Sequence, residues 1–193
     1  MNLKHLTLAC AVVLAPMLTA AQQPQTAVTP EAGEMKEAFA PIAFMAGSCW
    51  DGPLPDFVSA STGLPPQTVS HCVRWRLENQ VLTDTLRMDA TTPPVQGESN
   101  YYWDAETKTL RYIFWSVDGR FSTGTVKAEG DTLIFDDERL FGRKGVVHFV
   151  TTWTPQGADV QRPDAFVQTR RRQNADGTWT HTATATFKRS ELR

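Results

Sequence analysis

Cys72-Val73-Arg74-Trp75-Arg76-Leu77-Glu78-Asn79-Gln80-Val81-Leu82-Thr83-Asp84-Thr85-Leu86-Arg87-Met88 is the stretch that decides how this 193-residue chain folds. Glu78-Asn79 is a turn signal between two runs rich in Val, Leu, Thr and Trp, most of which favour extended backbone. A two-residue turn there pairs Leu77 with Gln80, Trp75 with Leu82 and Val73 with Asp84, and directly paired residues share a face. One face then carries Val73, Trp75, Leu77, Gln80, Leu82, Asp84, Leu86 and Met88. The other carries Cys72, Arg74, Arg76, Val81, Thr83, Thr85 and Arg87. Apart from Gln80 and Asp84, the division is apolar against polar, as in a sheet with one buried face. The segment reads as a hairpin in a barrel wall.

Working outward, the same punctuation recurs. Turn signals fall at Thr91 to Pro94, Ala105 to Lys108, Asp118-Gly119, Glu129-Gly130, Gln156-Gly157 and Asn174 to Gly177. Between Phe44 and Phe187 they separate about ten short strands, which makes the chain all-β. Short successive connections give an up-and-down antiparallel meander, and a meander of that size closes into a barrel to hide its edges. A short helix is expected over Glu31 to Phe39, stopped near Pro41. Around Asp118-Gly119, Phe114 would face Thr123 and Trp115 would face Ser122, which leaves aromatic residues on both faces. The last strand is clearer. Trp179, His181, Ala183, Ala185 and Phe187 form one face, and Thr180, Thr182, Thr184, Thr186 and Lys188 the other. Alanines facing Trp75, Tyr101 or Tyr112 would leave room for a cavity.

The N-terminus has the three parts of a secretion signal. Lys4-His5 is a basic start, Leu6 to Leu18 is nearly all apolar, and Thr19-Ala20-Ala21 offers small residues before Gln22. Residues 1–21 therefore read as a signal peptide, 22–40 as a flexible leader with the short helix, and 41–193 as one barrel domain. A periplasmic or secreted location follows, and no stretch is long enough for a membrane-spanning helix. Removing the signal peptide takes Cys10 with it. Cys49 and Cys72 remain, both on the outer faces of predicted neighbouring strands, and in an oxidising compartment they read as one disulfide. A metal site is not expected, because Cys-x-x-Cys spacing is lacking. The formal net charge of −2 gives no basic excess for nucleic acid or an anionic membrane surface. The run Arg170-Arg171-Arg172 reads as a solvated outer face.

Several segments carry a resemblance to a known group. They are Phe44-Met45-Ala46-Gly47-Ser48-Cys49-Trp50-Asp51-Gly52, Gln96-Gly97-Glu98, Tyr101-Tyr102-Trp103-Asp104, Phe114-Trp115-Ser116, Ser122-Thr123-Gly124-Thr125 and Glu129-Gly130-Asp131-Thr132-Leu133. With them the chain resembles the bacterial lipocalin-like, calycin-type β-barrel families of unknown function, across most of residues 40 to 190. The resemblance implies a barrel whose first-strand Trp closes one end. Those families have Gly-x-Trp, whereas this chain has Gly-Ser-Cys-Trp, one residue longer. Some calycin-like barrels hold haem through a His near the chain's end, where His181 lies. Their local pattern is not reproduced here, and no cofactor is expected.

No nucleophile elbow, zincin helix, Walker loop or dinucleotide fingerprint is present. Of the histidines, His71 at a strand start reads as a surface residue, His148 has no assignable face, and His181 lies on the apolar face. Asp84 sits between Leu82 and Leu86 on the inner face, where a carboxylate must find a partner or shift its pKa upward. An Arg or His could supply that partner. Glu98 is a weaker acid–base candidate. The expected ligand-binding set is Trp75, Asp84, Tyr101, Trp103, Tyr112, Phe114 and His181, with no catalytic residue and no metal ligand assigned. The expected function is binding of a small, largely apolar molecule inside the barrel. Two alternatives stay open: an enzyme using Asp84, Glu98 or His181 on such a molecule, and a structural envelope protein whose barrel is filled by its own side chains. Oligomeric state is not legible.

Overall fold

Alternation of apolar and polar residues with period two builds ten antiparallel strands, and these close on themselves. The computed structural model describes residues 32–54, 67–88, 94–117, 119–142 and 145–193. The signal-like stretch, residues 22–31 ahead of the helix, Asp118 of the Asp118-Gly119 turn and most of the Thr91 to Pro94 turn lie outside them. The strands are β1 (Ser48–Pro53), β2 (Thr68–Arg76), β3 (Val81–Met88), β4 (Val95–Asp104), β5 (Thr109–Ser116), β6 (Phe121–Glu129), β7 (Thr132–Gly142), β8 (Gly145–Gln156), β9 (Ala165–Gln173) and β10 (Trp179–Ser190). Each pairs with its sequence neighbours, and β1 pairs with both β2 and β10, so no edge is left open.

One end of the barrel is plugged. Helix α1 (Ala32–Phe39) packs there against β4 and β5, and a single 3₁₀ turn follows at Ala43–Met45. The helix stops just before Pro41, as the steric restriction on a residue preceding proline requires. Phe39 meets the Trp75 ring edge-on at 5.1 Å, and Lys108 Nζ reaches Glu34 Oε1 at 2.8 Å. Above this plug Trp50 is fully buried. Its indole N–H donates to the Met45 carbonyl at 3.3 Å, the Arg189 guanidinium lies 5.0 Å over its ring, and Phe166 packs 5.3 Å away. Trp50 thus closes the helix end in spite of the extra residue before it.

The β2–β3 register is the one read from sequence: Trp75 faces Leu82 and Val73 faces Asp84. The connection is wider, since Arg76 and Val81 form the last pair and Leu77, Glu78 and Asn79 all adopt positive φ. The β5–β6 hairpin is shifted by one. Phe114 faces Ser122 and Trp115 faces Phe121. The cause is the turn, where Ser116 N donates to Arg120 O at 2.9 Å and Gly119 sits at φ +82°. Three residues therefore separate the strands, as in a bulged hairpin loop, rather than two. The shift resolves the aromatic residues on both faces: Phe114 points in, while Trp115, Phe121 and Phe141 are partly exposed on the outside.

Cys49 and Cys72 are directly opposed on β1 and β2 and joined in a disulfide. The two are 23 residues apart in sequence. Closing a loop of that size stabilises a chain by about 3 kcal/mol, chiefly through the unfolded state. The double variant Cys49→Ser/Cys72→Ser is expected to lose about that much in urea unfolding. An unchanged midpoint would show that the bond does not form in solution.

Candidate functional site

Above the Trp50 layer the barrel holds a half-open cavity of about 270 Å³. Its floor and lower walls are aromatic. Phe135 lies 4.3 Å from Trp153, and Tyr101 and Tyr112 lie 5.8 Å from each other. Phe166 stacks on Phe187 at 5.0 Å beneath. Leu54, Val69, Leu86, Met88, Phe114 and Leu140 continue the apolar lining toward the end opposite the helix.

Three glycines make room for these rings: Gly52, where a Cβ would stand 2.6 Å from Phe187 Cδ1, and two more along the cavity wall. A Cβ on Gly97 would stand 2.6 Å from Phe114 Cε2, and one on Gly124 would stand 2.7 Å from Tyr112 Cε1. Both distances are far inside contact range, so each ring lies flat over bare backbone of a neighbouring strand.

Ser99, Arg120, Ser122, Thr151 and Gln168 interrupt the apolar wall, and so do two ion pairs. The first is Asp84 with His71. Asp84 is 2% exposed, and its Oδ2 accepts from His71 Nδ1 at 2.8 Å. A carboxylate has no proton to give, so Nδ1 carries the hydrogen, and in the neutral ring Nε2 is an acceptor. His71 also meets Phe187 edge-on at 5.2 Å. Burial works against a charge on His71, but the Asp84 charge and hydrogen bond, with a smaller contribution from Asp51, outweigh it and raise its pKa above 6.5. A raised folded-state pKa gives stability that is full below the unfolded value and lost as pH rises through the folded one. Urea midpoints taken from about pH 5.5 to about pH 8.5 should therefore decline across that window, and His71→Gln should flatten the decline. A wild-type profile that is flat or rising there would contradict the pairing.

The second group is Glu138 with Arg170. Arg170 forms an ion pair with Glu138, and Thr151 Oγ1 donates to Glu138 Oε2 at 2.7 Å. The guanidinium also lies 4.0 Å over the Phe149 ring. Burial brings the Arg170 pKa down from 12.5 to about 10, Tyr112 opposing the fall and Arg120 adding to it, so the group stays charged at neutral pH.

Two β-bulges decide which polar residues face inward. On β7 the register slips between Phe135 and Glu138. Unbroken alternation from Phe135 would turn Glu138 outward; the extra residue turns it in. On β10 the register slips between His181 and Ala183, with His181 opposite Arg171 and Ala183 opposite Arg170. Here the bulge acts the other way. Ala185 and Phe187 are buried, whereas His181 is exposed and its Nε2 lies 3.2 Å from Thr184 Oγ1.

Of the expected ligand-binding set, Asp84, Tyr101, Tyr112 and Phe114 meet at the cavity. His181 does not, because of the bulge. Trp75 and Trp103 are partly buried against the core cluster but do not line the cavity, and Trp75 packs on Phe39 at the helix end. Glu98 pairs with the outward Trp115 and accepts from Asn100 Nδ2 at 2.9 Å, away from the cavity. The reading missed His71, Glu138 and Arg170. His71 is two residues from Val73 on the inner face, so extending the alternation by one step would have found it. Arg170 is four residues from the fully buried Phe166 and shares its face; the arginine run concealed it. Glu138 left no signal, since a bulge does not show in a period-two pattern.

Among the described residues no cluster of three or more His, Cys, Asp or Glu could hold a metal ion, and no helix is long and apolar enough to cross a membrane. No family model matches the chain, and no curated protein matches its sequence. Among solved structures, the crystal structure of Rv2717c from M. tuberculosis is similar at 11% identity, covering 80% of this chain and 98% of that chain, with a TM-score of 0.46.

Proposed function

We propose that this barrel binds a small, largely apolar molecule in the cavity above Trp50, as lipocalin-like barrels of exported proteins would. The observation that carries the reading is a half-open, aromatic-walled space of about 270 Å³ with two ion pairs facing it. Ligand pockets begin at roughly 300 Å³ and combine an apolar lining with a few fixed polar groups. The volume, about 270 Å³, falls just below that scale, which points to a ligand no larger than one aromatic ring with a short substituent. The filled-barrel alternative is less well supported, since side chains that could close the space are held back by bare glycine backbone. Export fits the same reading: the signal-like N-terminus and the Cys49–Cys72 disulfide both suit an oxidising compartment.

The test is native mass spectrometry of the protein purified from its own cell envelope, followed by denaturing extraction of any bound small molecule. A stoichiometric adduct supports the reading. Its loss in Gly97→Ala would place the adduct in the cavity, because that methyl group must push the Phe114 ring inward. Overpacking of this kind costs about 1–3 kcal/mol, whether drawn from stability or from ligand affinity. A bare wild-type chain that also takes up no added aromatic probe would count against the reading.

One observation favours a second reading. His71 is oriented through Nδ1 by a buried carboxylate, the arrangement that prepares a histidine to exchange protons through its other nitrogen. Chemical change in the extracted molecule after incubation with wild type, absent with His71→Gln, would mark an enzyme.

A further inference from the structure

Two buried groups of opposite hydrogen-bonding sense border the cavity without a partner. Asp84 has its Oδ2 occupied by His71, while its Oδ1 accepts no hydrogen bond. Trp153 is 4% exposed, and its indole Nε1–H donates to nothing. Both atoms are covered but belong to residues that line the same space, and both residues neighbour His71, whose ring centre is 6.4 Å from that of Trp153. Buried polar groups are nearly always paired, and one left unpaired loses the full value of its hydration. The Trp103 indole also lacks a partner, but it does not border the cavity.

The two orphans define what would satisfy them together. A hydrocarbon would leave both unpaired. An ether or ketone could accept from Trp153 but would give Asp84 nothing, and an ammonium would do the reverse. A carboxylate would meet the Asp84 charge. A hydroxyl does both, its oxygen accepting from Nε1–H while its proton is donated to Oδ1. We propose that the cavity selects a small apolar alcohol or phenol, with its hydroxyl group held between Asp84 and Trp153. This deepens the ligand-binding reading and rests on it. A hydrogen bond to the charged Asp84 would be the stronger of the two contacts and would orient the ring against Tyr101 and Phe135.

The test uses two probes of equal size, benzyl alcohol and ethylbenzene, titrated calorimetrically into the mature protein and into Trp153→Phe. The hydration of each probe is the same in both titrations, so the change in the ratio of their affinities isolates the hydroxyl contact. Benzyl alcohol should weaken about tenfold in the variant while ethylbenzene is held equally well or better. A wild-type measurement stands beside it: the Trp153 Nε1 proton should move downfield in NMR with benzyl alcohol and not with ethylbenzene. Equal changes for both probes, or an indole proton indifferent to the hydroxyl, would overturn the inference and leave the cavity as a plain apolar site. Binding of neither probe to wild type would instead remove the ligand-binding reading beneath it.

Discussion

Arg170→Leu is expected to destabilise the barrel by about 3–5 kcal/mol, because it leaves the Glu138 carboxylate buried without its counter-charge. Glu138 is 6% exposed and would keep the Thr151 hydroxyl as a donor but lose the guanidinium paired with it. A buried ion pair gains little net stability over an apolar replacement, since both charges are taken out of water. Removing one partner is a different matter: the desolvation of the survivor is then uncompensated. The double variant Arg170→Leu/Glu138→Leu should accordingly recover most of the loss. Urea unfolding of the wild type, both single variants and the double variant measures the coupling directly. If the two single losses simply add in the double variant, the groups are not paired in the folded barrel.

Phe166→Ala carries a comparable expectation, a loss of about 3–5 kcal/mol from deleting a fully buried ring. Phe166 is 0% exposed and sits among Trp50 at 5.3 Å, Trp153 at 5.0 Å and Phe187 at 5.0 Å. Those neighbours belong to three other strands, so collapse around the gap would need the barrel wall itself to move. The hole would also open the cavity floor toward Trp50, and the variant should accept a bulkier apolar probe than wild type does. Val117→Ala serves as the control, since that side chain is 71% exposed and should change stability by no more than about 0.5 kcal/mol. A Phe166→Ala loss below about 1 kcal/mol would mean the aromatic layer is not packed as described.

The β2–β3 hairpin shows what period-two alternation can and cannot carry. Its register was legible because the apolar face is interrupted only at Gln80 and Asp84, and a one-residue slip would have turned every apolar side chain outward. The length of its turn was not legible, since a four-residue connection leaves the same pairing as a two-residue one. At Asp118-Gly119 the same ambiguity mattered, because three loop residues shift the strands by one. The disulfide followed from faces: Cys49 and Cys72 both alternate with inward residues. Asp84 was found for the same reason, as a carboxylate on an apolar face, and His71 is the partner that its burial demanded.

The rest of the site depended on bulges. One inserted residue on β7 brings Glu138 inside, and one on β10 turns His181 out. Neither leaves a mark on hydrophobic periodicity, because each changes the phase of a strand without changing its composition. The arginine run misled for a related reason. Like charges in sequence alternate between faces in a strand, so Arg170 can be interior while Arg171 lies across from His181 on the outer side.

The central claim is that the barrel interior is a ligand site, and methyl NMR of the mature protein titrated with benzyl alcohol tests it most directly. Met88, Leu86 and Leu140 line the cavity, whereas Val126 and Leu133 are core residues outside its lining. Saturable shifts are expected at the first three methyl-bearing residues, with the last two nearly still. Shifts confined to the outer surface, or none up to the solubility of the probe, would contradict the account.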